Sequence, residues 1–260
     1  MRLDEKFKQL REEKRKAFIG YVPFGFPNPE LTKDIVFSLQ EAGVDIVELG
    51  IPFSDPLADG PIIQKATTLA LEKGATIEGL FREFEQLKNS LKIPIVIMTY
   101  YNPVFKFGLS NFFKTMHNLG MTAITIVDLP LEESADYIKK ARKFDLDTIF
   151  FITPTTSCIR MKKIATQSKG FIYYISVTGI TGPKSLQYAS LQSNIRAIKR
   201  VTKIPVCVGF GIHRREQIDK INKFSDGVIV GSGIVKFIDE HYRDIDFLSK
   251  LKKYTRLLTA

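Results

Sequence analysis

The sequence predicts an α/β fold, a single (βα)₈ TIM-barrel domain over residues 1–260 with an extra helix at the front. Three observations carry this. Eight short apolar, β-prone runs recur along the chain, and an amphipathic stretch separates each from the next. The runs lack strict apolar–polar alternation, as parallel strands buried on both faces do. Eight such units in 260 residues are what the closed barrel requires. A doubly wound open sheet is the competing arrangement, because periodicity does not show closure.

The elements follow in order. Leu3–Arg15 reads as the extra helix, charged on one side and apolar at Leu3, Phe7 and Leu10. The strands are expected at Ala17–Val22, Asp45–Leu49, Ile93–Met98 and Ala123–Val127, then at Thr148–Ile152, Phe171–Ile175, Ile204–Val208 and Gly227–Val230. Helices are expected between them at Leu31–Ala42, Ile62–Lys73, Ile77–Ser90, Leu109–Leu119, Ser134–Lys143, Cys158–Gln167, Ser193–Val201 and Arg215–Asn222, with Asp246–Leu258 at the end. Gly43 and Gly120 stand where helices terminate before the next strand. No Ser/Gly-rich linker or low-complexity stretch divides the chain.

Composition excludes several classes of function. Two cysteines, Cys158 and Cys207, cannot build a disulfide framework or a cysteine-ligated zinc site, and three scattered histidines do not form a metal cluster. No metal site is expected. The longest apolar runs are four or five residues, too short to span a bilayer. Met1 to Lys16 is charged throughout and lacks the apolar core of a secretory signal, so the expectation is a soluble, cytoplasmic protein. The formal charge of +10 raises nucleic acid as a partner, but the basic residues are dispersed and no nucleic-acid-binding motif accompanies them. Attraction for phosphorylated metabolites fits the same charge.

In a barrel, chemistry sits on the loops after the strands. Glu48, flanked by Val47 and Leu49 near the end of the second strand, is expected to be desolvated, with its pKa raised toward the range useful for proton transfer. The loop that follows carries Asp55 and Asp59 among three prolines. Asp59-Gly60-Pro61 also reads as a helix N-cap, and Asp55-Pro56 as a turn, so spacing leaves open which aspartate works with Glu48. In the sixth strand Tyr173 and Tyr174 point opposite ways, and either is a functional hydroxyl or a core phenol. Gly209-Phe210-Gly211 and Gly231-Ser232-Gly233 close the last two strands, where barrels often bind phosphate, and Gly182 follows the sixth.

The run Val47-Glu48-Leu49-Gly50-Ile51-Pro52-Phe53-Ser54-Asp55-Pro56-Leu57-Ala58-Asp59-Gly60-Pro61-Ile62-Ile63-Gln64 resembles the signature of the tryptophan synthase alpha chain family. Met98-Thr99-Tyr100-Tyr101-Asn102-Pro103, Val127-Asp128-Leu129-Pro130, Val177-Thr178-Gly179-Ile180-Thr181-Gly182 and Gly209-Phe210-Gly211-Ile212 continue the likeness in family order over nearly the whole chain. The resemblance implies retro-aldol cleavage of indole-3-glycerol phosphate to indole and glyceraldehyde 3-phosphate. Glu48 and Asp59 match the catalytic pair. Tyr173, Tyr100, Phe210, Asp128 and Thr181 match positions around the substrate, and Gly182, Gly211, Gly231 and Ser232 match the phosphate cradle. Asp55 matches a contact to a beta chain. It further implies no cofactor in this chain, pyridoxal phosphate in the beta partner, and an alpha2beta2 heterotetramer.

Three departures stand out. Gly233 replaces a commoner alanine, His213-Arg214-Arg215 follows Gly211-Ile212 where a proline is usual, and Leu69 replaces a familiar arginine. None touches the proposed acid and base. The alternatives are a stand-alone lyase that releases free indole, separated by its response to a beta chain, and an inert activating subunit, against which both carboxylates stand.

Overall fold

The computed structural model describes residues 1–176, 188–209 and 211–260. Nine parallel strand segments form one sheet: β1 (Ala17–Pro23), β2 (Ile46–Gly50), β3 (Ile95–Thr99), β4 (Ala123–Ile126), β5 (Asp147–Ile149), β6 (Phe151–Ile152), β7 (Ile172–Ile175), β8 (Val206–Gly209) and β9 (Gly227–Val230). Their order is β5-β4-β3-β2-β1-β9-β8-β7-β6. The two ends of that order, β5 and β6, are halves of the expected fifth strand, separated only by Phe150. The Ile149 carbonyl accepts the Thr125 hydroxyl on the β4 side (3.0 Å), and the Phe150 carbonyl accepts the Tyr173 amide on the β7 side (3.1 Å). One strand therefore joins both edges, the sheet is a closed eight-stranded barrel, and the open-sheet alternative falls.

The strands are buried on both faces, which is why their sequences show no alternation. Two apolar clusters divide the residues between them. Inside the barrel lie Ile19, Ile46, Val96, Ala123, Ile149, Phe171, Cys207 and Ile229; between barrel and helices lies the larger cluster, including Val22, Val47, Leu49, Ile97 and Val208. The helix Leu3–Glu12 plugs the barrel's lower end, with Leu3, Phe7 and Leu10 joining the inner cluster and Phe7 packing edge-on to Phe171 at 6.1 Å. It stops short of the expected Arg15 because Lys14 turns into the left-handed region (φ 56). Beneath it, Asp45 accepts the Phe18 amide at 2.9 Å and faces Arg15 and Lys6.

Gly43 and Gly120 end their helices with φ of +91° and +74°, conformations that a side chain would strain. Two helices were not among those expected. One is Tyr101–Phe107, with Pro103 in its first turn, where no amide donor is needed. The other is Ser232–His241, which buries Ile234, Val235 and Ile238. The expected helix Ser193–Val201 begins earlier, at Tyr188. No helix among the described residues is long and apolar enough to cross a membrane.

Candidate active site

Alternation along β2 sends Val47 and Leu49 into the outer layer and Glu48 into the barrel. Glu48 is 0% exposed, and neither carboxyl oxygen has a hydrogen-bond partner among the described residues. Burial, with Asp59 adding repulsion, pushes its pKa up to about 8. The expected desolvated acid is there.

The loop after β2 folds back over the barrel mouth and returns Asp59 to it. The helix Pro61–Glu72 is N-capped by Gly60 with proline in the first turn, so Asp59 does not serve as the cap. Its Oδ2 instead accepts the Tyr100 hydroxyl at 3.0 Å, and that hydroxyl accepts the Ala58 amide at 3.1 Å. One phenol thus pins both the loop and the carboxylate. Burial raises Asp59 to about 6, the Tyr100 hydrogen bond opposing the rise. Asp55, by contrast, is exposed and accepts the Ser54 hydroxyl at 2.6 Å, with Leu57 82% exposed beside it. The structure brings Asp59, and not Asp55, to Glu48.

Glu48 and Asp59 line a cavity of about 330 Å³ together with Tyr21, Tyr173, Gly211, Gly231 and Ser232. The lining also includes the start of a helix. Gly231 N-caps the helix Ser232–His241 without any side-chain cap, and the first intrahelical bond runs from the Val235 amide to the Gly231 carbonyl (2.9 Å). The amides of Ser232, Gly233 and Ile234 therefore lack intrahelical acceptors, and the helix dipole adds positive charge there, an arrangement that favours an anion. One cavity thus holds two carboxyls and a helix N-terminus in its lining.

Tyr173 points into this cavity, while Tyr174 points outward and accepts the Asn194 side-chain amide at 2.9 Å. Of the two, only Tyr173 lines the cavity. Tyr173 fits because its neighbour on β8 is glycine: a Cβ on Gly209 would lie 2.5 Å from the Tyr173 hydroxyl. Gly209→Ala is expected to push the ring into the cavity. Overpacking of this kind costs about 1–3 kcal/mol, so a lower melting temperature and a higher KM are expected; unchanged values in both would show that the ring yields freely.

Asp128 lies outside the cavity lining; it accepts the Tyr101 amide at 2.7 Å and so fixes the start of the helix that follows Tyr100. Phe210, Thr181 and Gly182 lie outside the described residues. Tyr21 was missed from sequence. It stands in register with Glu48 across β1 and β2, and a Cβ on Gly50 would collide with its hydroxyl. The signal was available: like Tyr173, it is an inward tyrosine at a strand's end. Leu69 packs half-buried against the outer core. Among the described residues no group of three or more His, Cys, Asp or Glu could hold a metal ion.

Comparison with known proteins agrees with this geometry. The family model described as tryptophan synthase alpha chain matches residues 7–258. A tryptophan synthase alpha chain of Thermoanaerobacter pseudethanolicus is 40% identical over 257 residues, covering 99% of this chain and 98% of that protein. One from Prochlorococcus marinus is 42% identical over 238 residues, 91% of this chain and 85% of its own. Among solved structures, tryptophan synthase subunit alpha from Legionella pneumophila superposes with a TM-score of 0.91 at 31% identity, covering 98% of this chain and 96% of that one. A chain of tryptophan synthase from M. tuberculosis in its aminoacrylate-bound form gives 0.89 at 31%, covering 99% and 98%. With the family model matching nearly the whole chain and a relative 40% identical over 257 residues, the chain belongs to the tryptophan synthase alpha chain family.

Proposed function

We propose that this chain is the alpha subunit of a tryptophan synthase and cleaves indole-3-glycerol phosphate to indole and glyceraldehyde 3-phosphate. The observation that carries the reading is a fully buried carboxyl, without a hydrogen-bond partner among the described residues, sharing one cavity with a second carboxylate and a helix N-terminus. The phosphate sits against Gly211, Gly231 and Ser232, where free amides and the helix dipole favour an anion. The indole then lies toward Glu48 and Asp59, with Tyr173 beside it and Tyr100 holding Asp59 in place.

Glu48, still protonated at neutral pH because its pKa is about 8, delivers its proton to indole C3. That breaks the aromaticity of the pyrrole and makes C3 a leaving carbon. Asp59, ionised above about 6, accepts a hydrogen bond from the indole N–H and stabilises the cation. The carbon–carbon bond breaks as Glu48, now a carboxylate, removes the proton of the adjacent hydroxyl. The aldehyde forms, indole keeps the proton at C3, and Glu48 returns to its starting state.

The active form needs Glu48 protonated and Asp59 ionised. Turnover should therefore rise with pH through about 6 and fall through about 8. A profile of kcat/KM that stays flat from pH 5 to 9 would remove one of the two from its role.

Indole passes on to a beta chain that supplies pyridoxal phosphate and condenses it with serine, in an alpha2beta2 assembly. The exposed loop carrying Asp55 and Leu57 supports a docking role. The test is indole release from indole-3-glycerol phosphate by the purified chain with and without a beta chain. Slow release that rises sharply with the partner supports the subunit reading; fast release indifferent to it means a stand-alone lyase; none in either condition overturns catalysis.

A further inference from the structure

We propose that His213 is a positioning residue for the anion end of the cavity, acting through its hydrogen bond to the Gly211 carbonyl. The proposal rests on the phosphate reading above and assigns a role to one of the departures from the family pattern. Gly211 lines the cavity with φ +78°, and its carbonyl accepts a hydrogen bond from His213 Nδ1 at 2.9 Å. The ring therefore carries its proton on Nδ1. The backbone amides of His213 and Arg214 both donate to Gln217 Oε1 at 3.0 Å, and Ile212 is buried between. Arg215 continues the anchoring, with its guanidinium on Asp219 and on the Leu258 carbonyl of the last helix.

Across from this loop, Gly233 is the second residue of the helix whose first residue, Ser232, lines the cavity. A Cβ there would stand 3.0 Å from His213 Cβ, 3.2 Å from the Tyr254 hydroxyl and 3.3 Å from His213 Cα, tighter than side chains ordinarily pack. An alanine at 233 would therefore press on the loop that carries Gly211, whatever side chain stands at 213. Through this contact the loop after β8 and the helix N-terminus keep a fixed separation, so the cradle is set before the anion arrives. His213 itself need not touch the phosphate.

The test compares His213→Ala, His213→Asn and Gly233→Ala in the full chain. KM for indole-3-glycerol phosphate and the Kd for glyceraldehyde 3-phosphate by calorimetry are measured for each. His213→Ala should raise both roughly fivefold, the size of one neutral hydrogen bond, with kcat little changed. His213→Asn keeps a donor at the same place and should restore both. Gly233→Ala should also weaken binding, because its Cβ presses on the loop. Unchanged KM and Kd in His213→Ala, or no recovery in His213→Asn, would overturn the proposal. If the wild-type chain releases no indole, the cleavage reading falls, and the calorimetric series still decides this one.

Discussion

Glu48→Gln should abolish indole release while leaving the barrel folded and the phosphate end intact. The amide cannot donate an acidic proton to C3 and cannot take the hydroxyl proton afterwards. Each of those duties alone is worth roughly 10²–10⁴-fold, so a loss of at least about 10³-fold in kcat is expected, with the Kd for glyceraldehyde 3-phosphate unchanged. The same variant separates chemistry from stability. Glu48 holds its proton to about 8 in the fold but only to about 4.5 when unperturbed, so the folded chain binds the extra proton across that window. Wild-type stability accordingly falls as pH rises from about 4.5 to about 8. A neutral glutamine has no such dependence. At pH 9 the melting temperature of Glu48→Gln should therefore be no lower than wild type, and a marked drop there would mean that the carboxylate is paired.

Asp59→Asn should cut turnover by roughly 10²–10³-fold, the effect of losing one preorganised electrostatic partner of a developing charge. The amide preserves shape and can still meet the Tyr100 hydroxyl, so the loop should keep its place. Asp55→Asn is the comparison. It changes an exposed carboxylate and should leave cleavage by the isolated chain near wild type. If Asp55→Asn were the worse of the two, the assignment within the loop would be reversed.

Much of the fold was legible because it is written in short-range physics. Continuous apolar runs mark strands buried on both faces, and Gly43 and Gly120 mark helix ends that need positive φ. Two helices lay outside the expectation. Ser232–His241 follows a glycine-rich run and forms because Ile234, Val235 and Ile238 bury one face against the barrel. Tyr101–Phe107 holds Pro103 in its first turn, where no amide donor is needed, and that depends on where the helix starts.

The sequence by itself determined the strand count, the buried carboxyl at Glu48, the loop that supplies its partner and, through the family motifs, the reaction class. Each of these depends on residue type and on neighbours a few positions away. The tertiary structure decided closure of the sheet at Phe150, the choice of Asp59 over Asp55, the inward turn of Tyr173, and the place of Tyr21. It also brought His213 against Gly233, two departures twenty positions apart that read as unrelated in the chain. All of these turn on contacts between elements distant in sequence. Burial, repulsion between carboxylates and the fit of a ring against a glycine exist only once the barrel has closed.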